Sequence, residues 1–284
     1  MPSDTNEKET ATAGKDGRAP EKEGGVQSLN RALGLLDALA EVDEGLSLTE
    51  VARAVCLPPS SVHRLLTTLQ RRHFVRFDPA TMTWRVGVQA FVVGNAFARS
   101  REVAPIAMPY MRQLREKTGE TVNLYVHNGA HAICIAQVQS QQVIRAISRP
   151  GGAVPLHRSA AGKAILARMS TAEVEEWLDW RAASDADTFD AHLRRELHAA
   201  LDLIRARGYA LDDEEVAAGL RCIASAIVDE NGAGQGAISI AGPITRLTDE
   251  RLPQLAQFVA NAGQAVTRNF GGKSCAELTE ATRG

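Results

Sequence analysis

The stretch His157-Arg158-Ser159-Ala160-Ala161-Gly162-Lys163 holds the residue types that most invite chemistry in this chain of 284 residues. A glycine–lysine pair after small residues suggests a phosphate cradle, and a serine shortly before a lysine suggests an acyl-enzyme. Neither spacing holds. A phosphate loop reads GxxxxGK[ST], so that successive N–H groups wrap the phosphate while a hydroxyl holds magnesium. Here His157 stands where the first glycine belongs, and Ala164 where the hydroxyl belongs. An S-x-x-K pair needs its serine one helical turn ahead of the lysine, whereas Ser159 precedes Lys163 by four residues. Two readings remain. One is a small-residue helix start packed closely on a sheet. The other is a cradle for an anion that does not react, since helix starts present free N–H donors. An enzyme using Lys163 or Cys222 is a remote alternative, because the sequence identifies no histidine–carboxylate partner for either.

Composition narrows the classes further. The formal net charge is −2, yet Arg53 to Arg101 carries eight arginines against one acid, Asp78, a local +7. Asp212-Asp213-Glu214-Glu215 forms a later acidic run. Such segregation offers an anionic partner the first part of the chain only. The cysteines at 56, 134, 222 and 275 include no CxxC pair, which speaks against a disulfide framework or structural zinc and fits a reducing cytoplasm. His127 and His131 have a helical metal spacing, but Asn128-Gly129 between them reads as a hairpin turn. No metal and no cofactor are therefore expected. The N-terminus lacks a signal-peptide core, and no apolar run approaches the length of a membrane span.

These residues need elements to position them. Residues 1–25 read as a disordered leader, rich in Glu, Lys, Thr, Ala and Gly. In SLNRALGLLDALA the apolar spacing predicts an amphipathic helix, and Ser47 with Glu50 forms a capping box opening a second. Pro58-Pro59 can open a third, since a first turn needs no N–H from them, and Val62, Leu65, Leu66 and Leu69 bury one of its faces. FVRF and TWRV flank DPATM as a two-stranded wing. The exposed side of the third helix offers Ser60, Ser61, His63, Arg64, Thr67, Thr68 and Arg71, with Arg85 on the wing. Hydroxyls and arginines there suit phosphates and base edges. The predicted arrangement is a winged helix-turn-helix over 26–88. A connector helix follows over 89–102, bearing Phe91, Val92, Val93 and Phe97.

Beyond it the pattern turns to α+β, an antiparallel sheet with helices packed on it, over 103–270. TVNLYVH and HAICIAQV form a hairpin about Asn128-Gly129, and VIRAIS reads as a third strand. The small-residue stretch starts a helix, Ser170 and Glu173 box another, and a third stops at Gly208. YAL, RCIASAIVD and QGAISIAG supply further strands. Thr248 is expected to begin the last helix, and 271–284 to be a flexible tail.

VQSLNRALGLLDALAE, LPPSSVHRLLTTLQ, HRSAAGKA and RGYALDDEEVAAGLRCIASAIVDENG…AISIAGPITRLTDER together resemble the IclR-type bacterial transcriptional regulators. The likeness runs from about Val26 to Phe270. VQSL, FVVGNAF, GETVN and DDEE…GLRC…AISI are most similar to its acetate-operon, or glyoxylate-bypass, branch. The resemblance implies a sensor domain of GAF-like fold and a dimer or tetramer on a palindromic double-stranded DNA operator. It also implies a pocket for a small organic acid such as glyoxylate or pyruvate. The implied ligand contacts are the backbone at Ala160 and Ala161 beside Gly162, and the side chains of Asp212, Cys222 and Ser239. Val143, Ala146, Val154 and Leu220 form the implied apolar wall. Asp212 is awkward beside an anion, and would accept from a ligand hydroxyl or orient its neighbours. Ala241 replaces a second serine, Ala146 enlarges the wall, and Arg149 and Arg158 add flanking cations. Pyruvate-sized or aromatic acids are therefore expected to compete with glyoxylate. Cys56 and His73 replace glycines at positions where φ > 0 would be costly. The reading is a cytoplasmic, ligand-responsive repressor without catalytic activity. The alternative is an activator or dual regulator of aromatic-acid catabolism.

Overall fold

Leu35, Leu39, Val51, Val62, Leu66, Val75 and Trp84 close one apolar core. It belongs to the first of two units, which divide between Asn95 and Ala96. The computed structural model describes residues 26–100, 103–146, 148–184 and 189–272. The expected leader over 1–25 lies outside them, as do residues 101–102 of the connector and 273–284 of the tail.

The first unit contains α1 (Gln27–Ala40), α2 (Leu48–Ala54), α3 (Pro59–Arg71), β1 (Val75–Asp78) and β2 (Thr83–Val86). Ser47 caps α2 as the sequence requires: its hydroxyl accepts from the Glu50 N–H while Glu50 accepts from the Ser47 N–H at 2.8 Å. Pro59 occupies the first position of α3, where a missing N–H loses no hydrogen bond. Both helices end on a left-handed residue that is not glycine. Cys56 has φ 51° and His73 φ 59°, and each is followed by a hydrogen bond reaching back across the last turn. Those bonds run from Leu57 N–H to Ala52 C=O and from Phe74 N–H to Leu69 C=O. This is the helix end that normally selects glycine. The wing pairs Arg76 with Arg85 and Phe77 with Trp84. α4 (Val88–Ser100) follows and contains the break between the units.

In the second unit α5 (Val103–Thr118) precedes β3 (Thr121–Asn128), β4 (His131–Val138) and β5 (Ala153–Pro155). Then come α6 (Ala160–Leu166), α7 (Thr171–Ser184), α8 (Ala191–Arg207), β6 (Ala210–Asp213), β7 (Leu220–Val228), β8 (Gly234–Pro243) and α9 (Leu252–Asn269). The strands form one antiparallel sheet in the order β5-β4-β3-β8-β7-β6. Its two faces differ in residue size. Val122, Leu124, Ile223, Ile227, Ile238 and Ile240 pack against α5 and α9. The alternate positions, among them Ala224 and Ala237, face α6. Period-two alternation thus puts the branched side chains on one side and leaves the other shallow.

Three expectations are corrected. VIRAIS is not a strand among its described residues; the edge strand is β5, because Ser140 turns the chain by donating from its hydroxyl to Gly119 C=O at 2.6 Å and accepting from Gln142 N–H at 3.1 Å. The last helix begins at Leu252 instead of Thr248, whose carbonyl accepts from the Leu252 N–H just ahead of the helix. α5 was not foreseen; Pro109 lies inside it.

Candidate functional site

In the first unit α3 turns Val62 and Leu66 inward, which leaves Ser60, His63, Arg64, Thr68 and Arg71 exposed and Ser61 and Thr67 half-buried. The helical period therefore gathers every residue foreseen on that face. Two hydroxyls are already committed: Thr67 Oγ1 donates to His63 C=O and Thr68 Oγ1 to Arg64 C=O, each at 2.8 Å. Their methyl groups and lone pairs remain to meet a partner, so the arginines and Ser60 carry the donor capacity of the face. On the wing Arg85 is half-buried, and its Nε finds no hydrogen-bond partner among the described residues. Arg76 stands directly opposite it. Like charges across a ladder repel, and an anion between them would relieve that repulsion.

In the second unit the shallow face of the sheet and the start of α6 enclose a cavity of about 220 Å³. The alternation that points Ile238 and Ile240 at α9 points Ser239 and Ala241 into it. Asn123 on β3, Cys222 and Leu220 on β7 and Asp212 on β6 share this side. α6 closes it with Ala160 and Ala161. The close approach depends on Gly162: a Cβ there would lie 2.2 Å from the Leu156 carbonyl oxygen and 2.4 Å from its Cα. Ser159 accepts from the Gly162 N–H at 3.1 Å. The N–H groups of Ala160 and Ala161 precede the first intrahelical bond and make none to the described residues.

The cavity brings together Ala146, Val154, Ala160, Ala161, Asp212, Leu220, Cys222 and Ser239. Two of the expected residues are not among those lining the cavity. Val143 is 94% exposed. Gly162 acts by permitting contact with Leu156, and its N–H is used by Ser159. Arg149 and Arg158 do not line the cavity either; Arg158 donates to the Glu215 carbonyl. Sequence reasoning missed Asn123, Tyr125, Ser148, Ser159, Val216 and Ala217. The only signal for the first two was alternation along TVNLYVH, which assigns them to the same face.

The polar groups in the wall are constrained. Asp212 Oδ1 accepts from the N–H groups of Glu215 at 2.9 Å and Val216 at 3.3 Å. It therefore orients the 214–219 loop, one of its two expected roles. Burial raises its pKa above the ordinary 3.8, an effect that those hydrogen bonds and Lys163 oppose and Glu215 reinforces. Lys163 is itself buried and paired with Glu215. Burial, and secondarily Asp212, pushes the Cys222 thiol far above its usual range, so it sits in the wall as a neutral S–H. Tyr125, hydrogen-bonded to Ser148, is likewise raised by burial.

Comparison with known proteins places this geometry. The family described as bacterial transcriptional regulator IclR, C-terminal, matches residues 95–268, and the IclR helix-turn-helix domain matches residues 28–79. The acetate operon repressor of Salmonella typhimurium is 45% identical over 253 residues, 88% of this chain and 92% of that protein. The transcriptional repressor IclR of Escherichia coli is 44% identical with the same coverage. The regulator BhcR of Paracoccus denitrificans is 40% identical over 255 residues, 88% of this chain and 90% of its own. Among solved structures, IclR of Thermotoga maritima has a TM-score of 0.65 at 27% identity and covers 86% of this chain and 98% of its own. Among the described residues no helix is long and apolar enough to cross a membrane.

Proposed function

The chain belongs to the IclR family of bacterial transcriptional regulators, and from that premise we propose that it is a repressor whose grip on a palindromic operator is set by a small organic acid held in the sheet cavity. The observation that carries this reading is the pairing of two backbone donors that no described residue uses, Ala160 and Ala161, with the Ser239 hydroxyl across one cavity. A carboxylate accepts readily from such donors with little reorganisation. The volume equals about seven waters at the liquid's share of ~30 Å³ each, which suits an acid of pyruvate size or slightly larger.

The wall is made for holding, not for reacting. Lys163 is taken by Glu215, and a thiol with its pKa raised by burial is a poor nucleophile. On α3, Arg64 and Arg71 read or clamp the DNA, Ser60, Ser61, His63, Thr67 and Thr68 fill out the contact face, and Arg85 follows the backbone from the wing. Two half-sites require two copies. The apolar face exposed on α1 and α4 supplies the means of pairing them.

The test is isothermal calorimetry with a panel of two- to five-carbon oxo acids and aromatic acids, together with titration of the same acids into a complex of the protein with its own upstream DNA. An acid that binds should change operator affinity by about 5- to 150-fold, the usual range of coupling between two sites. Binding confined to uncharged ligands, or binding without any change on DNA, would refute the proposal.

A further inference from the structure

A second cavity, of about 520 Å³, shares no lining residue with the one on the sheet. Lys163 lines it, whereas Ala160 and Ala161 of the same helix line the sheet cavity. α8 contributes Leu193, Leu197 and Ala200, whose i, i+4, i+7 spacing makes one apolar stripe. Phe189 adds an aromatic wall, held edge-on to the His157 ring with centroids 5.0 Å apart.

The polar lining is unevenly satisfied. The Lys163 side chain is only 8% exposed, and its ammonium carries three N–H donors. Glu215 Oε1 accepts one of them, and no other hydrogen bond runs from it to a described residue. Arg158 donates once, to the Glu215 carbonyl, and forms no ion pair with a described carboxylate. Two cations therefore share the single carboxylate of Glu215. Glu196, the other acid of this lining, faces His192 at 3.3 Å. The Asp212 carboxyl lines the sheet cavity and accepts from the 215 and 216 N–H groups.

A buried ammonium is costly unless its donors are met, so an acceptor at Lys163 would be held firmly. The walls combine an apolar majority with a few converging polar groups, at a volume usual for ligand sites. The stripe from Leu193 to Ala200 runs about 10 Å at 1.5 Å per residue. A two- or three-carbon acid cannot cover it.

We propose that this cavity is a second ligand site, for a monocarboxylate with an extended apolar body. Lys163 and Arg158 take the carboxylate, while Leu193, Leu197 and Phe189 cover the body. Glu215 stands between the two sites: its side chain lines this cavity, and its neighbours Val216 and Ala217 line the other.

The experiment is calorimetry of the full chain with octanoate and its neutral isostere octanamide. Octanoate should bind once per chain and about 10-fold or more tightly than octanamide, because charged hydrogen bonds are the stronger ones. Leu193→Asp changes an exposed position of the stripe that does not line the sheet cavity, and should weaken octanoate by about 10-fold or more. Arg158→Gln keeps a donor for the Glu215 carbonyl but removes the charge, so octanoate should fall toward octanamide while octanamide moves little. No octanoate binding, equal affinities for the two probes, or full octanoate affinity in Leu193→Asp each overturns the proposal. Should that variant not fold, a crystal structure of the wild type with octanoate decides. A carboxylate within hydrogen-bond distance of Lys163 Nζ supports the site, and octanoate held elsewhere overturns it. Pyruvate titrated into the same wild-type chain reports on the sheet cavity: its failure to bind sinks that reading and leaves this one standing, and the reverse holds for octanoate.

Discussion

The Asp212 carboxylate accepts the Glu215 N–H at 2.9 Å, and Glu215 turns its own carboxylate to Lys163 on α6. One buried carboxyl group thereby joins the cavity wall to the loop carrying Val216 and Ala217, which line the same cavity. Its protonation state is part of the binding site.

A pH dependence follows. Burial raises the Asp212 pKa above 3.8, with Glu215, Lys163 and Cys222 as the titratable groups facing it. A raised folded pKa contributes stability below the unfolded value, and that contribution is lost as pH rises through the folded one. Asp212→Asn should therefore gain stability on the wild type at neutral pH and gain none near pH 3.8. A bound carboxylate raises the pKa further, so acid affinity should increase as pH falls through the Asp212 range. Calorimetry in buffers of different ionisation heat should detect proton uptake in the wild type and none in Asp212→Asn. Equal uptake in both would assign the titration to another group.

Gly162 tests the packing of α6. Alanine is the better helix former by roughly 1 kcal/mol, yet its Cβ would meet the Leu156 backbone at 2.2 Å. Backbone cannot rotate away as a side chain can, so Gly162→Ala should destabilise the chain by about 1–3 kcal/mol and weaken acid binding. Thermal unfolding with calorimetry reads both. A variant as stable as the wild type would mean that α6 does not lie this close.

On the DNA face, Arg64→Ala should weaken operator binding by about 1–3 kcal/mol if Arg64 reads a base. The arginine-rich face and wing should give a steep fall of affinity with salt, since each neutralised phosphate releases counterions. Fluorescence anisotropy across a salt series checks both effects. Operator affinity unchanged in the Arg64→Ala, Arg71→Ala double variant would sink the assignment of α3 as the recognition helix.

The two left-handed helix ends carry a stability prediction. A side chain at φ 51° or 59° costs about 1–2 kcal/mol, and glycine gives back some 0.5–1 through its unfolded freedom. Cys56→Gly and His73→Gly should each stabilise the first unit by up to ~1 kcal/mol. A lower urea midpoint in either variant would show that the native side chain makes a compensating contact.

Assembly is the fifth. Phe91 is 71% exposed on α4, with Val88, Val92 and Val93 also open, and α1 exposes Leu29 and Leu33; the Phe97 side chain lies outside the described residues. Apolar faces of this kind mark interfaces. Phe91→Asp should shift the chain toward monomer in light scattering at micromolar concentration and weaken operator binding. A wild-type monomer that bound its operator normally would contradict the pairing.

Local pattern was sufficient for much of this protein. The Ser47–Glu50 box, Pro59 at a helix start, the spacing of Val62 and Leu66, the Asn128-Gly129 hairpin and the end of α8 at Gly208 are decided within one or two turns of chain. The residues involved touch their sequence neighbours, so the sequence contains the whole interaction. The same holds for the outward row on α3, because a helical period that buries one face determines the other. The cavity is of another kind. Family likeness named Asp212, Cys222 and Ser239, and alternation alone could say only that Asn123 shares a face with Tyr125. What sets Asn123 opposite Ser239 is the register of β3 on β8, 116 residues apart in the chain. What orients its amide is Gln137, itself held by the Ser148 carbonyl. Val143 shows the converse: family likeness named it for the wall, and the turn at Ser140 carries it into solvent. Pairing register and the hydrogen bonds of neighbours act across the sheet, and only the folded chain brings those partners within reach.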